Sequence, residues 1–177
     1  MKFNIYKPFG NLIRPKHVYI FVRDIDNKTL LGSKPRFYPA KLYRFLGGGL
    51  DDLDYKSAAI KEMKEETYVE TLNKDYIDVV KFDINAIDID KKEYEVEYYI
   101  VLYIPKIENA RAGDDVEEIV HLTEEQYFEN IKNWYNVPKG TFISDNETNT
   151  RFDWYDYGQI YGKVHELSYK IVMEKLT

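Results

Sequence analysis

The stretch GGGLDDLDYKSAAIKEMKEETYVE, residues 47–70, sets three glycines and an acidic turn before a helix predicted over about 55–68. The helix carries Glu62, Glu65 and Glu66. At about 100° per residue, these three side chains fall within an arc of roughly 100°. Like charges spaced three or four residues apart destabilise a helix slightly, so the crowding is expected to serve another purpose.

A bound divalent cation explains the crowding, because Mg²⁺ and Mn²⁺ prefer carboxylate oxygen. The glycines suit such a site, since backbone without Cβ atoms approaches a metal or phosphate closely. Ile60, Met63 and Thr67 lie opposite the glutamates and are predicted to face the core. Ala58 and Ala59 lie one turn before the glutamates on the same side, and their small side chains are expected to keep that face low so that another group can approach. An isolated acidic helix face is usually only solvated surface, but its combination with the glycines favours a metal site.

The spacing resembles the signature of the Nudix hydrolase family. That signature is a glycine, five residues, Glu, seven residues, Arg-Glu-aliphatic, one residue, Glu-Glu, one residue, Gly and an aliphatic residue. Counted from Gly47, the chain supplies Lys61-Glu62-Met63, Glu65-Glu66 and Val69 in register. The resemblance covers residues 47–69 and implies an α/β fold, the family's α/β/α sandwich with a mixed β-sheet flanked by helices.

Three positions depart from the signature. Lys61 replaces the family arginine, Tyr68 replaces the glycine near the helix end, and Leu53 falls where the first Glu is expected. Deleting one loop residue from the alignment places Asp54 there instead, and we prefer that alignment. It predicts an Asp54–Lys61 pair as a shorter version of the family's Glu–Arg pair. The helix is also expected to end differently at Tyr68.

The resemblance implies hydrolysis of a phosphoanhydride bond in a nucleoside diphosphate derivative such as ADP-ribose, a nucleotide sugar or a (d)NTP. By that match Glu62, Glu65 and Glu66 would hold Mg²⁺ or Mn²⁺, and a Gly47 or Gly48 carbonyl would add a ligand. Metals in such a site activate water and neutralise charge on the pyrophosphate. The partner implied is therefore a nucleotide-type small molecule.

The attacking water needs a base. Glu66 is one candidate, and Glu118 is another because some family members place a base on the loop before a late strand. An exposed acidic strand edge explains Glu118 equally well. Lys61, the counterpart of the family arginine, completes the expected catalytic set.

Charge is unevenly divided along the chain. Residues 1–50 contain ten Lys/Arg and two acidic residues, whereas the remainder contains 15 basic and 29 acidic residues. A basic lead-in beside an acidic helix suits a phosphate-bearing ligand, although chance clustering of solvated side chains explains the charge alone more simply. The candidates for phosphate contact are Arg44, Lys41 and Arg36. The candidates for stacking on a base are Tyr43, Tyr38, Trp134 and Trp154.

Length and composition fit a single soluble domain over residues 1–177. No apolar run reaches the roughly 18 residues of a membrane span, so no membrane partner is expected. The N-terminus lacks the apolar core of a secretory signal, and the absence of cysteine fits a cytoplasmic location. Three widely separated histidines make a histidine-rich metal site improbable.

Periodicity predicts the order of elements around the acidic helix. Strands are expected at 17–24, 76–84, 93–104 and 116–122, with LLGS at 30–33 as a short partner of the first. The strand at 93–104 turns continuously apolar and is predicted to be central. A capping box at Thr123 begins a helix to about Trp134, followed by a long polar loop over 136–156. Ile160, Val164, Leu167 and Ile171 form the apolar stripe of a C-terminal helix.

Two other functions compete with the hydrolase. A Nudix member that acts on RNA 5′ ends would need a basic, aromatic track, and the chain lacks an obvious RNA-binding module, so RNA is not favoured. A non-catalytic Nudix-like sensor is compatible with the changes at Leu53 and Tyr68 but leaves the intact glutamates unexplained. Many members of the family dimerise, so a homodimer is also an open expectation.

Overall fold

The computed structural model describes residues 1–34, 39 and 41–176, without the side chain of Tyr98. The strands are β1 Lys2–Asn4, β2 Lys16–Asp24, β3 Thr29–Ser33, β4 Leu46–Gly49, β5 Ile77–Ile87, β6 Glu93–Ile107, β7 Glu118–Leu122, β8 Phe142–Asp145 and β9 Thr150–Asp153. The helices are α1 Gly10–Ile13, α2 Tyr55–Thr67, α3 Glu124–Tyr135 and α4 Trp154–Lys175. Within these residues, no helix has the length and apolarity that crossing a membrane requires.

Seven of these strands form one mixed sheet in the order β1-β5-β6-β2-β3-β7, with β4 paired to the first half of β2. The β1–β5 and β2–β6 pairs are parallel, and the other pairs are antiparallel. Strand β6 lies between β5 and β2, which confirms the predicted central position. The segment before β4 is tied to β3, because Gly32 and Arg44 exchange two backbone hydrogen bonds. The glycine strand is thereby held at the middle of the sheet.

Strand β2 is buried on both faces, which is why its sequence is apolar throughout. Val18 and Ile20 pack with the α2 residue Met63 on one face, whereas Tyr19 packs with the α4 residue Tyr161 on the other. Full burial of a large aliphatic side chain stabilises the fold by about 1.5–3 kcal/mol. Helices therefore cover both faces of the sheet, and the predicted α/β/α sandwich is confirmed.

Helix α2 begins at Tyr55 because Asp54 caps it. The Asp54 carboxylate accepts hydrogen bonds from the backbone N–H groups of Lys56 and Ser57 at 3.1 and 3.0 Å. Ala58 and Ala59 are buried in the core with Met63, so the expectation that they keep the glutamate side of the helix low for an approaching group is wrong. Their small side chains instead allow the helix to approach the sheet closely.

Tyr68 ends α2 in the left-handed conformation, with φ 59° and ψ 17°. A glycine usually takes this position, so the substitution does not change the way the helix ends, and that prediction is wrong. The strain, roughly 1–2 kcal/mol for a residue with a side chain, is offset by packing of the ring. The Arg111 guanidinium lies 4.7 Å from the ring centroid, and Gly113 leaves room for the ring edge.

The segment predicted as a long loop over 136–156 contains the β8–β9 hairpin and the first turn of α4. Asp145 supports the hairpin turn by accepting a hydrogen bond from the Glu147 N–H at 2.8 Å. Asp153 caps α4 through the Tyr155 N–H at 3.0 Å. The loop prediction is therefore wrong for most of this segment. In α4, Ile160 and Val164 are buried as expected.

Candidate active site

A cleft of about 450 Å³ straddles the glycine strand β4. Its first end, which we name the acidic half, is lined by Glu62, Glu65, Asp114 and Asp115, with Lys34 beside them. Its second end, which we name the neutral half, is lined by α1, β2 and the β8–β9 hairpin. The charged and polar side chains of the neutral half include Asn11, Arg14, His17, Ser144, Asp145, Asn146 and Glu147. Arg44 and the three glycines also line the cleft.

Glu66 lies behind the acidic half rather than on its surface. Only 4% of its surface is exposed, and its Oε1 accepts a hydrogen bond from the Gly47 N–H at 2.7 Å. Gly47 has φ 139°, and a Cβ there would collide with the Val18 backbone and lie 2.9 Å from the Tyr19 Cα. A glycine is therefore required at this position because the β4 backbone lies very close to the backbone of β2.

Gly48 makes room for Glu62. A Cβ on Gly48 would lie 2.8 Å from Glu62 Oε1 and 2.9 Å from its Cδ. Burial raises the pKa of Glu62 to about 7, and the charges of Glu65, Asp115 and Asp114 add to the shift. The Glu62 carboxylate therefore lies against the backbone of Gly48, and other acidic residues lie nearby.

Lys61 contacts acids other than the predicted one. Its Nζ lies 3.6 Å from Asp51 Oδ2 and 3.7 Å from Glu65 Oε1. Asp54 does not pair with it, because the Asp54 carboxylate is occupied by the N-terminus of α2 and by the Ser57 hydroxyl at 2.7 Å. The predicted Asp54–Lys61 pair is therefore wrong, and Lys61 stands instead beside Glu65.

The electrostatics of the acidic half suit a cation. Burial raises the pKa of Glu66 to about 8, partly opposed by the Gly47 N–H, and the Glu62 charge raises it further. The donor groups are all oxygen, which fits Mg²⁺ or Mn²⁺. Among the described residues, no three acidic side chains already enclose a metal position. Binding would therefore need the Glu62 and Glu65 side chains to converge from their present positions on the cleft wall.

The raised pKa of Glu66 predicts that the metal-free protein loses stability as pH rises from about 5 to about 8. In this window the unfolded state has already released the proton that the folded state still holds, so unfolding releases a proton. The loss is at most about 1.4 kcal/mol per pH unit for this group. Denaturant unfolding in EDTA at several pH values measures the slope.

The Glu66→Gln variant is the control for this slope, because glutamine keeps the acceptor for Gly47 and does not titrate. Its unfolding free energy is expected to depend less on pH than that of the wild type, and Mg²⁺ is expected to stabilise the wild type more at pH 8 than at pH 5. Equal pH slopes for the two proteins would contradict the assigned shift.

Asp114 and Asp115 are cleft residues that the sequence predictions missed. They lie on the loop over 108–115, which is anchored to the end of α2 by two backbone hydrogen bonds. Arg111 N–H donates to the Thr67 carbonyl at 3.1 Å, and Gly113 N–H donates to the Glu66 carbonyl at 3.0 Å. Asp115 also forms an ion pair with Lys34. The acidic run DDVEE from residue 114 onward is the sequence signal for this loop, but the predicted base, Glu118, lies farther along it.

That residue, Glu118, lies at the start of β7 opposite Ser33 and is exposed. It is not among the described residues that line the cleft, and its charge adds to the burial that raises the pKa of Tyr43. Tyr43 is held to α3, where its N–H donates to Asn130 Oδ1 at 3.0 Å. Lys41 is exposed, with φ 65°. Neither Tyr43 nor Lys41 belongs to the described cleft lining.

Arg44 is the predicted phosphate ligand that does reach the cleft. Its Nη1 donates to the Tyr157 hydroxyl at 2.7 Å and to the Tyr161 hydroxyl at 3.3 Å. Its guanidinium carbon lies 5.4 and 5.3 Å from the ring centroids of Tyr19 and Tyr161, a cation–π arrangement. Arg36 and Tyr38 lie outside the described residues.

The two tryptophans differ in position. Trp134 is fully buried, and its Nε1 donates to the Tyr43 carbonyl at 2.7 Å, so the expectation that it stacks on a base is wrong. Trp154 is almost fully buried but borders the neutral half of the cleft together with Phe152.

The chain matches one protein-family model and is similar in fold to solved structures. The NUDIX domain family model matches residues 13–140. Among solved structures, the fold is similar to the MutT protein from Methanosarcina mazei Go1, with a TM-score of 0.50, 16% identity and coverage of 87% of this chain and 94% of that one. It is also similar to DR0079 from Deinococcus radiodurans, with a TM-score of 0.51, 16% identity and coverage of 72% and 77%. No curated protein matches the chain significantly.

Proposed function

The chain belongs to the Nudix family, and from this membership we propose that it is a metal-dependent hydrolase of a phosphoanhydride bond in a nucleoside diphosphate derivative. The observation that carries the proposal is the acidic half of the cleft, where Glu62 lies beside bare backbone at Gly48 and Glu65 lines the same cleft. A purely structural acidic surface would not need a glycine at that position.

In this proposal Glu62, Glu65 and Glu66 hold Mg²⁺ or Mn²⁺, with the Gly47 carbonyl as a further ligand. The bound metal would lower the pKa of a water molecule and neutralise charge on the diphosphate. Lys61 keeps the Glu65 carboxylate in place through their 3.7 Å contact. Arg44 lies on the cleft wall with its guanidinium fixed by two tyrosine hydroxyls, which suits a contact to a substrate phosphate. Lys41, Tyr43 and Arg36 remain sequence-based predictions.

The proton of the attacking water requires an acceptor, and we assign it to Asp114. This residue lines the acidic half and contributes to the raised pKa of Glu62, whereas Glu118 does not line the described cleft. Asp115 is engaged by Lys34. Asp114 is therefore the carboxylate of this loop that is best placed to accept the proton.

The Asp114→Asn variant is expected to lower kcat about 10²-fold, the size of effect that general bases contribute. Asp114 has φ 52°, a conformation that asparagine tolerates well, so the fold is preserved. Steady-state kinetics of Asp114→Asn and Glu118→Gln test the assignment. Glu118→Gln is expected to retain activity within a few fold. A larger loss of kcat in Glu118→Gln than in Asp114→Asn would identify Glu118 as the base instead.

A product-resolved hydrolysis screen tests the proposed function itself. The substrates are ADP-ribose, nucleotide sugars, dinucleoside polyphosphates, (d)NTPs and 5′-triphosphate or capped RNA, each with Mg²⁺ or Mn²⁺. Cleavage of one class at the anhydride, lost at least roughly a hundredfold in Glu66→Gln, supports the hydrolase. Saturable nucleotide binding without turnover would replace it with the sensor function.

A further inference from the structure

Tyr68 is a departure from the Nudix signature that the proposed chemistry leaves without a role. It ends α2 with φ 59°, a conformation that glycine adopts freely and that strains a residue with a Cβ atom. The cap itself needs no side chain, because the Tyr68 N–H donates to the Lys64 carbonyl at 3.1 Å. Burial does not explain the ring either, since 57% of the residue is exposed. A strained residue next to a candidate site often serves that site, and the contacts of its ring indicate how.

The Tyr68 ring contacts the loop over 108–115 at the two residues that anchor this loop to α2. The Arg111 guanidinium carbon lies 4.7 Å from the ring centroid, a cation–π arrangement. The ring edge lies against Gly113, because a Cβ on this glycine would be 2.7 Å from Tyr68 Cε2. The N–H groups of Arg111 and Gly113 donate to carbonyls of the last turn of α2. The ring therefore lies beside both anchored residues.

The alternate residues of this segment face the core. Ala110 and Ala112 pack against the buried cluster that includes Met63, whereas Arg111 and Gly113 contact the ring. The segment 110–113 is thus enclosed between the core and Tyr68. Backbone hydrogen bonds at the surface open readily, and side chains that cover them slow the opening.

Asp114 follows the enclosed segment directly. It lines the acidic half of the cleft, and its φ is 52°. Beyond it the chain is anchored a second time, because the Glu117 N–H donates to the Ser33 carbonyl at 3.1 Å. Backbone anchors therefore flank Asp114 on both sides, and the Tyr68 ring acts on the first of them.

We infer that Tyr68 is a positioning residue, whose ring clamps residues 110–113 against the core together with the Arg111 guanidinium and thereby holds Asp114 at the acidic half. The catalytic part of this inference rests on the proposed function, because Asp114 affects the rate only if it accepts the proton of the attacking water. A glycine at position 68 would form the same helix cap and leave the loop uncovered. The departure from the signature thus adds a loop contact to the site.

The clamp is tested first without substrate or metal, by hydrogen exchange of the backbone amides in EDTA, followed by NMR. Tyr68→Gly and Tyr68→Asn remove the ring and keep residues that adopt the left-handed cap. The Arg111 and Gly113 amides are expected to exchange at least about tenfold faster in both variants. The Glu117 amide, which belongs to the second anchor, is expected to exchange at the wild-type rate. Unchanged exchange at Arg111 and Gly113 would overturn the inference.

Lys91→Gly is the matched control for the change of backbone conformation. Lys91 has φ 67° and is exposed between β5 and β6, outside the described cleft lining. Its replacement relieves the same left-handed strain and is expected to leave exchange at Arg111 and Gly113 unchanged. Equal acceleration in Lys91→Gly would assign the effect to general unfolding and overturn the clamp.

Two further variants separate the ring from the cation. Tyr68→Phe keeps the ring and is expected to restore the wild-type exchange rates. Arg111→Met removes the cation and keeps an apolar stem, so exchange of the Gly113 amide is expected to become about 2- to 5-fold faster. Exchange in Tyr68→Phe as fast as in Tyr68→Gly would contradict a clamp formed by the ring.

The positioning role is tested by kinetics on the substrate found in the hydrolysis screen. Tyr68→Gly and Tyr68→Asn are expected to lower kcat about 10-fold and to change KM less than about twofold. In the Asp114→Asn background, the same substitutions are expected to change kcat less than about twofold, because the ring acts through Asp114. A ring that serves only the fold would lower the unfolding midpoint and leave kcat of the folded protein unchanged. That pattern, or equal losses of kcat in both backgrounds, would overturn the positioning role.

The two sets of data separate this inference from the proposed function. Hydrolysis by the wild type, together with unchanged amide exchange in Tyr68→Gly, would overturn the clamp and leave the enzyme. Faster exchange in Tyr68→Gly of a protein that hydrolyses no substrate would support the clamp and overturn the proposed function.

Discussion

Glutamine in place of Glu65 is expected to lower kcat/KM at least about hundredfold without destabilising the protein. Glu65 lines the acidic half, and 41% of its side chain is exposed, so its removal leaves no buried group unpaired. Its carboxylate is a proposed metal ligand, and removal of an electrostatic contact to the reacting groups commonly costs 10²–10³ in rate. Steady-state kinetics at saturating Mg²⁺, with the unfolding midpoint measured on the same samples, gives both quantities.

The control for Glu65→Gln is Glu70→Gln, which removes the same type of side chain just beyond the same helix. Glu70 pairs with Lys64 at the surface and takes no part in the described cleft lining. Its substitution is expected to leave kcat/KM unchanged within a factor of two or so, since exposed ion pairs contribute little. Similar losses in the two variants would point to the net charge of the surface and not to a metal ligand.

Alanine at each of the three consecutive glycines is expected to give three different results. Gly47→Ala places a Cβ against the backbone of β2 at a position with φ 139°, so we expect a loss of roughly 3 kcal/mol or more of unfolding free energy. Gly48→Ala is expected to fold but to displace the Glu62 carboxylate, lowering kcat/KM about 10²-fold. Chemical denaturation and kinetics on both variants measure these effects.

Gly49→Ala is the matched control in this series. Its Cβ would meet only the Arg14 guanidinium at 3.6 Å and the Lys16 carbonyl at 3.8 Å, which are ordinary contacts. Stability and activity are therefore expected to remain near the wild-type values. If Gly47→Ala proved as stable as Gly49→Ala, the described approach of β4 to β2 would be incorrect.

The parts of the fold that depend on local pattern could be predicted from the sequence. The continuous apolar run of β6 indicated a central strand, and the Thr123–Gln126 capping box marked the start of α3, where both of its hydrogen bonds are present. The hairpin β8–β9 could not be predicted, because each of its strands is only four residues long. Its position is set by contacts with α1, which lie far away in the sequence.

In the candidate site, too, the sequence indicated the features that depend on local pattern but not those that depend on packing between distant segments. The spacing of Glu62, Glu65 and Glu66 indicated a shared helix face, but only the packing of α2 on the sheet reveals that Glu66 is buried on Gly47 while Glu65 faces the cleft. Asp114 depends on how its loop meets the end of α2, and that contact leaves no local signal.

The loop over 108–115 is fastened to α2 through backbone atoms, since its N–H groups at Arg111 and Gly113 reach carbonyls of the last helical turn. Such bonds do not depend on which side chains the loop carries elsewhere. Within the loop, Asn109 has φ 61° and Ala110 packs against the core, so the freedom to vary is greatest at exposed Glu108. The position of this loop on α2 is therefore set by its main chain, and Asp114 and Asp115 are held at the cleft by bonds that do not involve their own side chains.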